Sequence, residues 1–150
     1  EFLSESNAIE AVFDEDSLQQ ALYAWEYLCK QKKITSAVIC ETHKILMKNQ
    51  TLKEDEKGFF RRVPVWVGSH IGLNWAKIPE AIEVWSLLVN AVQFEEDIKF
   101  HHVEFEKIHP FVDGNGRIGR ILLNWERLQL GLPILIIKES EKFDYYKWFH

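Results

Sequence analysis

Cysteine is scarce: Cys29 and Cys40 are the only two in 150 residues, and no companion Cys/His spacing accompanies them. That excludes a disulfide-stapled secreted domain and a thiolate zinc site, and it predicts two reduced thiols in a cytoplasmic protein. Apolar runs are short. None approaches the ~20 residues that a membrane-spanning helix needs, and the acidic opening Glu1-Phe2-Leu3-Ser4-Glu5 lacks the basic-then-apolar layout of a signal peptide. Basic excess is missing too. A formal net charge of −5 argues against general binding to nucleic acid or to an anionic membrane, since both draw on clustered Lys and Arg. No low-complexity, Pro-rich or Ser/Gly-rich stretch breaks the chain, and no repeat period shows. An initiator Met is absent, and Tyr146 to His150 read as part of an unfinished helix, as expected of a fragment.

What is present suffices for one compact domain over 1–150: 47% of the residues are hydrophobic, with six Trp and ten Phe to fill a core. Leu18, Ala21, Leu22, Trp25 and Leu28 recur at helical spacing behind the caps Asp14 and Asp16. Thr35 caps a second helix whose inner stripe is Val38, Ile39, Ile45 and Leu46. From Gly58 to Gly68 the β-formers Phe59, Phe60, Val63, Val65, Trp66 and Val67 predict an exposed, edge-like hairpin interrupted by Pro64.

Pro79 suits the first turn of a third helix carrying Ala81, Ile82, Trp85, Leu88, Val89 and Val92, and a fourth runs from Ile98 through His102 and Phe105 to Ile108. A loop follows from His109 to Gly116, because Pro110 disfavours helical geometry before it and two glycines permit a tight path. Ile118, Ile121, Leu122, Trp125 and Leu128 mark a fifth helix, ended by Gly131 and Pro133, and Ile134 to Ile137 read as a short strand. The fold class is therefore mainly α, with a central helix–loop–helix unit and a small hairpin.

Chemistry concentrates in that loop. Gly114-Asn115-Gly116 ahead of a helix can aim several backbone N–H groups at one anion, where the helix dipole helps. Arg117 and Arg120, three apart on the first turns, put two guanidinium forks beside the same point, which suits a di- or triphosphate. Asp113 can give magnesium one hard oxygen. His109 is the side chain there whose ordinary pKa suits a general base. Taken singly, each has a plainer reading: a turn, a solvated helix face, a cap, a packing histidine. Four within twelve residues make one site. Phe111 is an apolar anchor for the loop, and His102 a hydrogen-bonded packing residue.

The run His-x-Phe-x-Asp-Gly-Asn-Gly-Arg-x-x-Arg, met from His109 to Arg120, resembles the motif of the Fic family, whose members commonly transfer AMP to protein hydroxyls. His102-x-x-Phe105-x-x-Ile108 and the stretch from Gly58 to Gly68 look like the family's preceding helix and target-docking flap, with Val63 and Val65 in the flap. The resemblance implies a Fic-type helical bundle in which His109 deprotonates the target hydroxyl and Asp113 holds Mg2+. It implies also that Gly114, Asn115 and Gly116 bind the α- and β-phosphates of ATP, and that Arg117 and Arg120 grip the β- and γ-phosphates. Ser6-Asn7-Ala8-Ile9-Glu10 is similar to an inhibitory helix, here at about 1–11, whose Ser6 and Glu10 would face Arg120. Relatives usually continue with Gly or Asn, where this chain has Ala11. A solvated Glu10 on a short helix is the competing reading.

Expected partners are thus ATP and a protein with a Ser, Thr or Tyr hydroxyl, the chain itself included, with self-association open and no nucleic acid or membrane. The alternatives are a nucleotide-binding module without transfer, or a relative that moves UMP, phosphate or phosphocholine or removes AMP. An intact His109 and Asp113 favour the transferase.

Overall fold

The computed structural model describes all 150 residues. Seven helices form the domain: α1 (Phe2–Ile9), α2 (Glu15–Cys29), α3 (Ser36–Leu46), α4 (Ile78–Asn90), α5 (Glu95–Ile108), α6 (Asn115–Gln129) and α7 (Lys142–Tyr146). Packing follows chain order, α2 on α3 and α4 on α5 on α6, while α1 reaches across to α6. No helix is long and apolar enough to cross a membrane.

Local chemistry sets the helix ends. The Asp14 side chain accepts the Ser17 N–H at 2.9 Å and the Thr35 hydroxyl accepts that of Val38 at 3.2 Å, so two of the three expected caps are made, while Asp16 lies inside the first turn of α2. Pro79 lies in the first turn of α4, which a 3-10 turn over Trp75–Lys77 leads into. The core is one cluster to which every long helix contributes, including Leu28, Ile39, Ile82, Trp85, Phe105, Ile118, Ile121 and Trp125, with Phe111 of the loop at its heart. The buried face of α2 is rotated from the expected stripe. Ser17, Ala21, Ala24 and Leu28 face inward while Leu18 and Leu22 are exposed, because two alanines let α2 lie close against its neighbours. Leu88 of α4 and Leu128 of α6 are likewise exposed.

Two strand expectations need correction. The hairpin is β1 (Trp66–Val67) with β2 (His70–Ile71), antiparallel, Trp66 opposite Ile71 and Val67 opposite His70. It therefore begins where the expected 58–68 strand pair was to end, turning at Gly68-Ser69. Val63 lies in a bend and its carbonyl accepts from Arg61 Nη1 at 2.9 Å, and Val65 joins only by accepting from the Gly72 N–H at 2.8 Å. Pro64 has no N–H for a ladder, and the guanidinium of Arg61 takes the place of a partner strand. Ile134 to Ile137 is not a strand either. It is tied to α6 by Asn124, whose amide accepts from the Leu135 N–H at 2.8 Å and donates to the Leu135 carbonyl at 3.1 Å.

That two-way amide latch recurs. Asn90 of α4 pairs with the N–H and carbonyl of Ile34, both at 2.7 Å. Asn115 of α6 does the same with Phe111 at 2.9 and 2.8 Å. In a fold with four strand residues, asparagine side chains substitute for strand neighbours at these three places where an irregular segment meets a helix.

Candidate functional site

His109 ends α5 in the left-handed region, φ 49 and ψ 63, out of the right-handed helical geometry that the following Pro110 disfavours. The chain then turns through Gly114, φ 84, into α6. Two side chains from elsewhere hold this loop. His43 of α3 stacks on Phe111 with ring centroids 3.7 Å apart. Its Nδ1 accepts the Gly58 N–H at 2.9 Å, so Nε2 carries the proton and donates to the Asp113 carbonyl at 2.8 Å. Burial pushes the His43 pKa down to about 4, which keeps this tautomer neutral. Arg61, also buried, donates from Nε to the His109 carbonyl at 2.6 Å and from Nη2 to those of Leu73 and Ile108 at 2.7 and 3.2 Å. Its own N–H bonds the Pro110 carbonyl at 2.9 Å. One guanidinium thus fastens the hairpin's approach to the backbone of the loop.

His109 is partly exposed. Nδ1 lies 3.2 Å from the Glu106 carbonyl, to which Nδ1–H donates, leaving Nε2 as the free lone pair. Burial lowers its pKa, and Arg61 adds to the effect, so the ring is neutral near pH 7 and able to accept a proton.

At the other end of the loop the first turn of α6 presents N–H groups without intrahelical partners, since Ile118 N to Gly114 O at 3.0 Å is the first bond of the helix. Asn115 offers that hole its backbone only, because its amide is engaged by Phe111. Arg117 is buried with Nη2 against Met47 Sδ at 3.5 Å, while Nε and Nη1 have no partner at all. A buried guanidinium with two empty donor positions beside a helix N-terminus has the donors with which an anion could be received. Asp113 is exposed and engages only Oδ1, with the Gly114 N–H at 2.8 Å. No group of three His, Cys, Asp or Glu side chains could hold a metal by itself. A single carboxylate fits magnesium that brings phosphate oxygens and waters with it.

Arg120 is the opposite of Arg117: its donors are taken. Nε donates to Ser6 Oγ at 2.7 Å, and Nη2 to the Ser6 carbonyl at 3.0 Å and to Glu10 Oε1 at 2.8 Å. Nη1 reaches the Tyr145 hydroxyl at 3.3 Å, and the ring of Tyr145 lies 5.6 Å from the guanidinium carbon. Ser6 and Glu10 thus lie together on Arg120. Gly116 makes this approach possible, because a Cβ there would overlap Glu10 Oε1. Glu10 caps α1, and Ala11 follows at φ 57. The Val12 N–H bonds the Asn7 carbonyl at 3.0 Å and the Ala11 N–H bonds that of Ala8 at 2.9 Å. This is a Schellman ending with alanine where its left-handed residue is ordinarily glycine.

His102 packs as expected, buried, with Nε2 2.7 Å from the Tyr145 hydroxyl. The sequence reading missed His43, Arg61 and Tyr145. His43 had one signal: a polar residue beside Thr42 on the inward face of α3, between Ile39 and Leu46. Cys40 is no nucleophile, its thiol pushed up to about 11 by burial, and Cys29 is likewise raised.

Residues 33–126 match the model of the Fic/DOC family. The chain is 32% identical over 124 residues to the protein adenylyltransferase Fic of Drosophila grimshawi, covering 79% of this chain and 25% of that one. It thus spans about a quarter of the length of the curated relatives it matches. A Fic domain-containing signaling protein from Bacteroides thetaiotaomicron superposes with a TM-score of 0.83 at 18% identity, over 98% of this chain and 68% of that one. Fic-1 from C. elegans superposes with 0.81 at 20% identity, over 97% and 52%. By its helix–loop–helix site, its fold and its sequence, the chain belongs to the Fic/DOC family.

Proposed function

We propose that the domain is a protein adenylyltransferase that moves AMP from ATP to a Ser, Thr or Tyr hydroxyl of a target protein, itself included. The observation that carries this is the unsatisfied guanidinium of Arg117 beside the α6 N-terminus, with the neutral His109 at the other end of the same short loop. Gly114 makes the turn, its own N–H held by Asp113, and the backbone N–H groups that follow at Asn115 and Gly116 receive the α- and β-phosphates, while Arg117 fills its empty donors with phosphate oxygens. Asp113 gives Mg2+ one oxygen; bound there, the ion neutralises phosphate charge. The target hydroxyl loses its proton to His109 Nε2 while its oxygen bonds the α-phosphorus. The bond from that phosphorus to the bridging oxygen breaks, and pyrophosphate leaves. Phosphoryl-type transfer of this kind rests on positioning and charge neutralisation.

Glu10 holds this activity down. Its carboxylate lies on Arg120, where the γ-phosphate would otherwise be gripped. The hairpin Trp66–Ile71 docks the target, its two-residue strands offering open backbone edges to an extended segment.

Intact-mass measurement after incubation with ATP and Mg2+, alone and with a cell lysate, tests the reading. An AMP adduct on the chain or on a lysate protein is expected with wild type and not with His109→Ala, whose ATP binding stays near normal. The loss should be about 10²–10⁴-fold, the size of a general-base contribution. Equal labelling by the variant, or an adduct from another nucleotide and none from ATP, overturns it.

A further inference from the structure

Behind His109 stands a carboxyl group that the transfer chemistry above does not use. Glu106 sits one turn earlier on α5 with its side chain almost wholly buried. Its Oε2 is 3.9 Å from His109 Nδ1, and its Oε1 has no hydrogen-bond partner. The carboxyl is seated deliberately: a Cβ at Gly119 of α6 would overlap Glu106 Oε1, so α6 leaves room for it by having no side chain there. A buried carboxyl oxygen without a donor is costly to maintain. Solvation cannot explain its retention, and neither can packing, which an apolar side chain would serve better.

Glu106 is surrounded by charge and titratable groups from every side. Arg120 of α6 draws it toward the ionised form, while Glu10 of α1 opposes that. The Tyr145 hydroxyl comes from α7, His102 from the preceding turn of α5, and Arg61 and Asp113 act on His109 from the loops. Within this set, the one group that gains a positive charge during transfer is His109. We infer that Glu106 is a positioning residue for the base: as Nε2 takes the hydroxyl proton, the Nδ1–H edge of the imidazolium faces the Glu106 carboxylate, which holds the ring in place and stabilises its charge. No bond to Glu106 forms or breaks, and the proton stays on Nε2.

The geometry supplies both acceptors on the same side of the ring, the Glu106 carbonyl at 3.2 Å and its carboxylate at 3.9 Å, so a small ring movement transfers the Nδ1–H from one to the other. Burial raises the Glu106 pKa to about 7, which puts its ionisation in the range where the base must work. Burial lowers that of His109, and the Glu106 carbonyl that accepts Nδ1–H offsets part of the loss of basicity.

This inference rests on His109 as the base, but its test does not require transfer. The ring nitrogens of His109, labelled with ¹⁵N, are titrated by NMR in wild type and in Glu106→Gln, which keeps shape and removes charge. The midpoint should fall by about one pH unit, the effect of losing an opposite charge ~4–6 Å away. Transfer by the variant should fall about ten-fold at pH 7, with ATP affinity unchanged. If Glu106→Gln does not fold, Glu106→Asp, which withdraws the charge by one methylene, carries the same test with a smaller fall. A His109 midpoint unchanged in whichever variant is folded overturns the inference. A lowered midpoint without AMP transfer by wild type would retain the Glu106–His109 pair and overturn the proposed activity instead.

Discussion

Glu10 and Arg120 are 110 residues apart in the chain, and their side chains meet at 2.8 Å across the first turns of α6. Ser6, one turn earlier on α1, completes the hold through both its hydroxyl and its carbonyl. On the proposed function, Glu10→Gly should therefore raise adenylylation, because the carboxylate and a γ-phosphate would compete for the same guanidinium. Charge-assisted contacts are worth roughly 1.5–3 kcal/mol. Glu10 is partly exposed, so screening puts the gain at the low end, about ten-fold. Parallel adenylylation assays of wild type and variant decide it, and equal rates would return Glu10 to an ordinary helix end.

Ala11→Gly should stabilise the fold. At φ 57 alanine crowds its own carbonyl, and glycine relieves that strain at some entropic loss from the unfolded chain, leaving a net gain of about 1 kcal/mol. A thermal melt reads it as a higher midpoint. Since Ala11 follows Glu10, the same change should also firm the hold on Arg120 and lower the basal rate.

Arg117→Met should separate binding from stability. Two of the Arg117 nitrogens are buried without partners, so an apolar side chain of similar length removes an unsatisfied charge and the variant should melt at the same temperature or higher. ATP affinity, measured by calorimetry, should fall at least about ten-fold with the loss of charge-assisted bonds. Unchanged affinity would mean that phosphate is held elsewhere.

Acid should loosen the loop through His43. Its folded pKa is about 4 against an ordinary 6.5, so between these values the unfolded chain binds the extra proton and stability falls as pH drops. Glu106 and Glu126, raised by burial to about 7 from 4.5, contribute the opposite slope over a similar range. Comparison of His43→Gln with wild type isolates the first term: the variant should lose less stability between pH 6.5 and 4 in denaturant titrations. Parallel curves would show that His43 is not buried neutral.

The helices and the loop were legible because each rests on local chemistry: caps at Asp14 and Thr35, a proline behind His109, glycines where the chain turns. The hairpin was displaced because β-forming side chains from Phe59 to Val67 do not reveal that Arg61 bonds the Val63 carbonyl. Leu18 and Leu22 went outside because the periodicity of α2 fits two adjacent faces, and the small residues Ala21 and Ala24 decided between them by allowing close approach. Loop residues were nameable from one run of sequence, whereas His43, Arg61 and Tyr145 reach the site from distant segments. Only the folded chain brings them there.

The three asparagine latches give this protein a particular chemical vulnerability. Each amide must donate to a carbonyl and accept from an N–H of the same residue, so hydrolysis of Asn90, Asn115 or Asn124 to aspartate would turn a donor toward a carbonyl into a repelling oxygen. Slow ageing of the molecule in solution would thus be felt where irregular segments meet helices. At Asn115 it would reach the nucleotide loop, with Phe111 losing its hold from within the core.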